Sequence, residues 1–154
     1  KVFAIDLSPE RLEKAFEVGA DIIINSGKED PVKRIIDETG TGVDVSYEAA
    51  GAQPTFTAAL DALKKQGQLM IIAAFAQPVE ISASIMLGKE AKITASLAYR
   101  HIFPEVIQLI STGQLNVNPV ITKKIKLENL VEEGLEVLTT DKSQSKILVE
   151  IPQV

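Results

Sequence analysis

The 154 residues carry 16 Lys and Arg against 21 Asp and Glu, a formal net charge of −5, with no Cys and a single His, so this sequence by itself cannot build a disulfide framework, a Cys–His nucleophile pair or a Cys-rich or multi-His zinc site. A hydrophobic share of 45% against 24% charged residues is that of one folded domain with a real core, not of a disordered chain. The acidic balance, with no basic run, argues against a nucleic-acid or anionic-membrane surface and leaves a small molecule or another protein as partner.

In chain order, Val2 to Ile5 is a short apolar strand ending in Asp6. Helical spacing follows, with Leu12, Ala15 and Phe16 on one side. Ser8 is placed to cap this helix with Pro9 at its first position, and Gly19 to close it in a left-handed conformation. Ile22 to Ile24 is the second strand. Asp30 and Pro31 repeat the cap-then-proline start for a helix carrying Val32, Ile35 and Ile36, which Gly40 ends. Val43 to Tyr47 is the third strand, and a helix bearing Phe56, Leu60 and Leu63 stops near Gly67. Leu69 to Ala74 is almost wholly apolar, as in a strand buried on both faces. A short helix around Ser84 to Lys89, a strand from Ile93 to Leu97, and a helix from Phe103 to Ser111 ended by Gly113 come next. The chain closes with a strand at Val120 and Ile121, a helix from Leu130 to Leu138, and a strand from Ile147 to Ile151.

Strands that alternate with helices and read as continuous apolar runs predict an α/β fold, a doubly wound parallel sheet of the Rossmann-like kind, with the whole chain as one domain. No apolar run approaches the ~20 residues of a membrane helix, and no signal-peptide pattern is present, so a soluble, cytoplasmic protein is expected. Lys1 stands where an initiator Met would, and the chain enters a strand at once, as a piece cut from a longer polypeptide would.

In an open parallel sheet, ligands bind outside the carboxyl ends of the strands. That rule selects Asp6, the run Glu48 to Gly51, the run Ile72 to Ala74, and the run Ser96 to Ala98. Asp6 admits two readings. A carboxylate ending a strand before a helix can accept hydrogen bonds from the two hydroxyls of an adenosine ribose while repelling a 2′-phosphate, which favours NAD over NADP. It can equally serve only the N-terminus of the following helix. Arg11, one turn on, could cover the adenosine, or be a solvated surface residue. Ala49, Ala50, Gly51, Ala73 and Ala74 let a flat ligand approach the backbone, although each singly suits a tight turn. Glu48 reads as a turn acceptor at the sheet end and not as a base, and His101 has no partner carboxylate nearby in sequence, so no catalytic residue is assigned. Lys123, Lys124 and Lys126 alternate with apolar neighbours as on the wet side of an edge strand. No GxGxxG or GxxxxGK[ST] loop occurs. In a dinucleotide fold that loop precedes the ribose acid by about twenty residues, so it and the first strand would lie upstream of Lys1.

The sequence resembles the zinc-dependent medium-chain alcohol dehydrogenases, within them the 2,3-butanediol and sorbitol dehydrogenase branch. The likeness rests on Ile5-Asp6-Leu7-Ser8-Pro9-Glu10-Arg11 leading to Glu17-Val18-Gly19-Ala20-Asp21, on Thr41 to Gly51, on Ala98-Tyr99-Arg100-His101-Ile102-Phe103-Pro104, on Val120 to Lys124 and on Lys146 to Val149. The resemblance implies a partial NAD-binding domain over residues 1–154, in which Asp6 and Leu7 meet the adenosine ribose with Arg11 beside them. It further implies Ala49, Ala50 and Gly51 on the adenine side, and Ile72, Ala73 and Ala74 with Ser96, Leu97 and Ala98 at the nicotinamide. Lys146 lies one residue from a pyrophosphate-binding Arg of relatives. The implied parent oxidises a secondary alcohol with NAD, holds zinc in an N-terminal catalytic domain absent here, and is a homo-oligomer; the fragment alone is expected to be inactive. A zinc-free quinone reductase of the same superfamily and a non-catalytic dinucleotide-sensing domain are the alternatives.

Overall fold

A computed structural model of the chain describes residues 1–141 and 143–152. It is an α/β structure in which every strand pairing among the described residues is parallel. The chain divides into two compact units, one of residues 1–25 with 101–154 and the other of residues 26–100.

In the first unit, strand β1 (Phe3–Asp6) pairs with β2 (Ile22–Asn25), so that Asp6 lies in register with Asn25. Helix α1 (Pro9–Glu17) connects them. The Ser8 hydroxyl accepts from the Arg11 N–H at 3.3 Å, and Gly19, at φ +112°, turns the chain out of the helix, as its sequence position predicts. Leu12 and Ile24 are buried. Helix α5 (Phe103–Ser111) matches its expected bounds. Strands β6 (Ile121–Lys126) and β7 (Lys146–Glu150) form a separate parallel pair. The helix expected over Leu130 to Leu138 differs in kind: residues Leu130–Glu136 are a π-helical turn, followed by a short α-helix, α6 (Val137–Thr140). Gly134 lies in the middle of that wide turn with the Ile125 side chain against it, where a Cβ would approach Ile125 Cδ1 to 3.0 Å. Lys123 reaches Glu133 at 2.7 Å, and this hydrogen bond holds the Glu133 carboxyl below the usual carboxylate range.

In the second unit, helix α2 (Pro31–Thr39) starts as expected, the Asp30 carboxylate accepting from Val32 N–H at 2.9 Å and Lys33 N–H at 3.1 Å, and Gly40 ends it at φ +78°. Strands β3 (Val43–Glu48), β4 (Leu63–Ile71) and β5 (Lys92–Ala95) form one sheet in that order. Helix α3 (Gln53–Asp61) links β3 to β4, and α4 (Ala83–Lys89) links β4 to β5. Phe56 and Leu60 from α3 pack with Leu63 and Leu69 from β4 as the buried core.

The boundaries around β4 depart from the sequence reading. Leu63 is not helical but opens β4, because the Ala62 carbonyl accepts from Val43 N–H at 2.9 Å and the Lys89 ammonium takes the carbonyls of Asp61 and Leu63, which ends α3 there. Residues 64–67 then bulge out of the ladder, where the register jumps from Val43 opposite Leu63 to Val45 opposite Gln68. At the other end β4 stops at Ile71, short of Ala74, because the N–H groups of Ile72 and Ala73 both turn to the Glu48 carbonyl. Of the run expected to be buried on both faces, only Leu69 is fully buried and Ile72 is exposed. The strands form three parallel ladders, β1-β2, β3-β4-β5 and β6-β7.

Candidate functional site

At the carboxyl end of β1, the Asp6 side chain is 35% exposed. Its Oδ1 accepts from the Ser8 N–H at 2.9 Å, and its Oδ2 lies 3.8 Å from the Arg11 guanidinium. Both readings of Asp6 therefore have a footing: one oxygen organises the entry to α1, and the other lies beside a cation on a partly exposed side chain. Leu7 is exposed at 70%, and its carbonyl accepts from Asn25 Nδ2 at 3.2 Å. The structure thus presents Asp6, Leu7 and Arg11 together at one strand end. Lys146 lies in the same unit, at the start of β7 in register with Ile121, its carbonyl accepting from the Thr122 hydroxyl at 3.2 Å.

In the other unit, the loops after β3 and β4 are tied together by Glu48, which is 1% exposed. Its Oε1 accepts from Ala50 N–H at 3.1 Å, Gly51 N–H at 3.0 Å and the Thr55 hydroxyl at 2.6 Å, and its Oε2 accepts from Gly51 N–H at 3.1 Å. Its main-chain carbonyl accepts from Ile72 and Ala73 N–H at 3.0 and 3.1 Å. A buried carboxylate is tolerable because these donors replace its water. Glu48 is thus a turn acceptor, as its sequence position suggested; the clamp on the next strand's loop is not visible in sequence, nor is the part played by Thr55.

Gly51 shows how close the two loops come. Its φ is +74°, and a Cβ there would stand 2.4 Å from the Ala74 carbonyl oxygen. Gly51→Ala is therefore expected to cost about 1–3 kcal/mol, from left-handed strain together with displacement of the 72–74 backbone. Thermal denaturation of the full-length protein checks this, and an unchanged Tm would contradict it.

The third loop joins the second through the Ser96 N–H, which donates to the Ile71 carbonyl at 3.1 Å. Ile71, Ala73, Ala95, Ser96, Leu97 and Arg100 line a cleft of about 480 Å³ beyond the ends of β4 and β5. Ala98, at φ +49°, holds a left-handed conformation that side chains other than Gly rarely adopt. Small residues stand at 49–51, 73–74 and 98 in the loops beyond these strands. Among the described residues, no three His, Cys, Asp or Glu converge as metal ligands, and no helix is long and apolar enough to cross a membrane.

Residues 1–112 match the family model described as zinc-binding dehydrogenase. The chain belongs to that family. It is 38% identical over 148 residues to the (R,R)-butanediol dehydrogenase of Bacillus subtilis (strain 168), covering 96% of this chain and 43% of that protein. It is 32% identical over 146 residues to the L-threonine 3-dehydrogenase of Pyrococcus furiosus, covering 92% and 42%. The crystal structure of 2R,3R-butanediol dehydrogenase from Bacillus subtilis superposes on it with a TM-score of 0.91 at 38% identity, covering 97% of this chain and 43% of that one. An alcohol dehydrogenase from Thermus sp. ATN1 gives a TM-score of 0.91 at 30% identity, covering 99% and 44%. The chain thus spans less than half the length of the curated relatives it matches.

Proposed function

We propose that this chain is the coenzyme-binding part of a longer NAD-dependent and zinc-dependent dehydrogenase that oxidises a secondary alcohol or polyol of the 2,3-butanediol type. The observation that carries the proposal is Asp6: a partly exposed carboxylate at the carboxyl end of a parallel strand, one oxygen taken by the Ser8 N–H and the other with a guanidinium beside it. Such a group accepts hydrogen bonds from the vicinal hydroxyls of an adenosine ribose and repels a phosphate at the 2′ position. The second unit is consistent with the same reading, because the residues at 49–51, 72–74 and 96–98, beyond the carboxyl ends of β3, β4 and β5, are small or exposed. NAD, when bound, supplies the hydride acceptor. We assign Asp6 and Arg11 of the first unit to the adenosine end and Lys146 to the pyrophosphate, and the small residues of the second unit to the nicotinamide end.

Zinc does not fit the residues of this chain, which has no Cys and one His. We assign its ligands to a separate catalytic domain of the parent protein, and derive no step through it here. We further propose a cytoplasmic homo-oligomer, a reading supported by the single pairing of β5, which leaves its other side without a strand partner among the described residues.

The test is coenzyme binding and turnover in the full-length protein. NADH fluorescence titration is expected to show binding that NADPH does not match, and 2,3-butanediol oxidation is expected with NAD. The isolated 154-residue chain, supplied with zinc and NAD, is expected to give no turnover. Preference for NADPH, or turnover by the isolated chain, would overturn the assignment.

A further inference from the structure

Between the end of β4 at Ile71 and the start of α4 at Ala83 runs a strap, residues 72–82. It begins on the Glu48 carbonyl, which accepts from Ile72 and Ala73 N–H. Its Phe75 ring packs edge-on against the buried Phe56, with centroids 6.2 Å apart and planes at 80°. At its far end stands Gln53, the first residue of α3. The Gln53 Nε2 donates to the Glu80 carbonyl at 3.1 Å, and the Gln53 Oε1 accepts from the Glu80 N–H at 2.7 Å. The same Nε2 donates to the Thr57 hydroxyl at 3.0 Å.

This two-way pairing defines the amide orientation, since the reverse would set an NH2 against an N–H and an oxygen against a carbonyl. One side chain, 27 residues away in sequence, pairs with Glu80 as the main chain of a neighbouring strand would. The strap is thereby anchored at both ends. A loop released at one end gains conformational freedom, and a ligand that needs it ordered must then restore that order at the expense of affinity.

We propose that Gln53 is a positioning residue for coenzyme binding: its amide, closed on both main-chain groups of Glu80, holds the 72–82 strap so that the backbone at 72–74 is set for the nicotinamide end. The proposal rests on the coenzyme reading above. Gln53 touches no coenzyme itself and acts only through the strap. It forms one wall of a recess of about 310 Å³ together with Phe56, Leu60, Asp61, Glu80 and Ile85.

The experiment uses the full-length dehydrogenase with Gln53→Ala and Gln53→Glu, and measures the Kd for NADH by fluorescence as pH is lowered from about 8 to about 5. At the upper end both variants are expected to bind about tenfold more weakly than wild type, as for the loss of two exposed hydrogen bonds. Gln53→Glu is expected to recover on acidification, because a protonated carboxyl donates to the Glu80 carbonyl and accepts from its N–H as the amide does. Gln53→Ala is expected to show no recovery. Values within twofold of wild type for both variants at every pH, or parallel pH profiles for Ala and Glu, would overturn the proposal. A wild type that binds no NADH overturns the coenzyme reading and this proposal with it. In wild type, hydrogen exchange at the Glu80 amide is expected to be slow and to slow further with NADH; unprotected exchange also overturns the clamp, whether or not a variant folds.

Discussion

Glu48→Ala is expected to cost about 2–4 kcal/mol of stability in the full-length protein, because removing the carboxylate, itself 1% exposed, leaves the part-buried N–H groups of Ala50 and Gly51 and the Thr55 hydroxyl without their acceptor. Each such donor carries a desolvation penalty of about 1–3 kcal/mol, and partial entry of water keeps the total below the simple sum. Glu48→Gln separates geometry from charge. Its oxygen can still accept where Oε1 does, but its NH2 faces the Gly51 N–H that Oε2 now satisfies, so a smaller loss of about 1–2 kcal/mol is expected. Chemical denaturation of the two variants measures both. An Ala variant as stable as the Gln variant would show that water replaces the carboxylate and that the knot is not a stability element.

The second large effect concerns Asp6. Asp6→Ala is expected to reduce kcat/KM for NAD in the full-length enzyme by about 2–4 kcal/mol, roughly thirty- to a thousandfold, as for the loss of two charge-assisted hydrogen bonds to a ribose. Asp6 Oδ1 also accepts from the Ser8 N–H at the entry to α1, so part of that loss could reflect the loop. Asp6→Asn resolves the two contributions. It keeps an acceptor for Ser8 and removes the charge, so it is expected to leave the start of α1 intact while the NAD preference over NADP falls, Arg11 then being free to meet a 2′-phosphate. Unchanged coenzyme preference in both variants would reduce Asp6 to a helix-entry residue.

Much of this architecture is legible in single residues because the forces behind it are local. Ser8, Asp30 and Pro31 mark helix starts since a cap satisfies an N–H two or three residues on. Gly19 and Gly40 mark helix ends because both turn left-handed. The functional candidates were legible for a related reason: a parallel strand's carboxyl end is found by locating the strand, and Asp6 and Gly51 follow at once. What escaped the sequence depends on partners far along the chain. Leu63 continues the apolar spacing of α3, yet the Lys89 ammonium, 26 residues later, takes its carbonyl and the helix has already ended. The hydrophobic run after Leu69 gives no sign that two of its N–H groups belong to Glu48. Gln53 at a helix start has no pattern that points to Glu80.

The sequence by itself determined the alternation of strands and helices, the parallel character that follows from it, the cap positions, and the exclusion of Cys and multi-His chemistry. These depend on composition and on interactions spanning at most one helical turn. Only the tertiary structure decided that Glu48 binds two loops with one side chain and one carbonyl, that Gly51 must be glycine because Ala74 lies against it, that the strands divide into three ladders, and that Gln53 closes on Glu80. Each of those depends on satisfying a buried or paired polar group across a long separation, and no local pattern encodes which donor will meet which acceptor until the chain has folded.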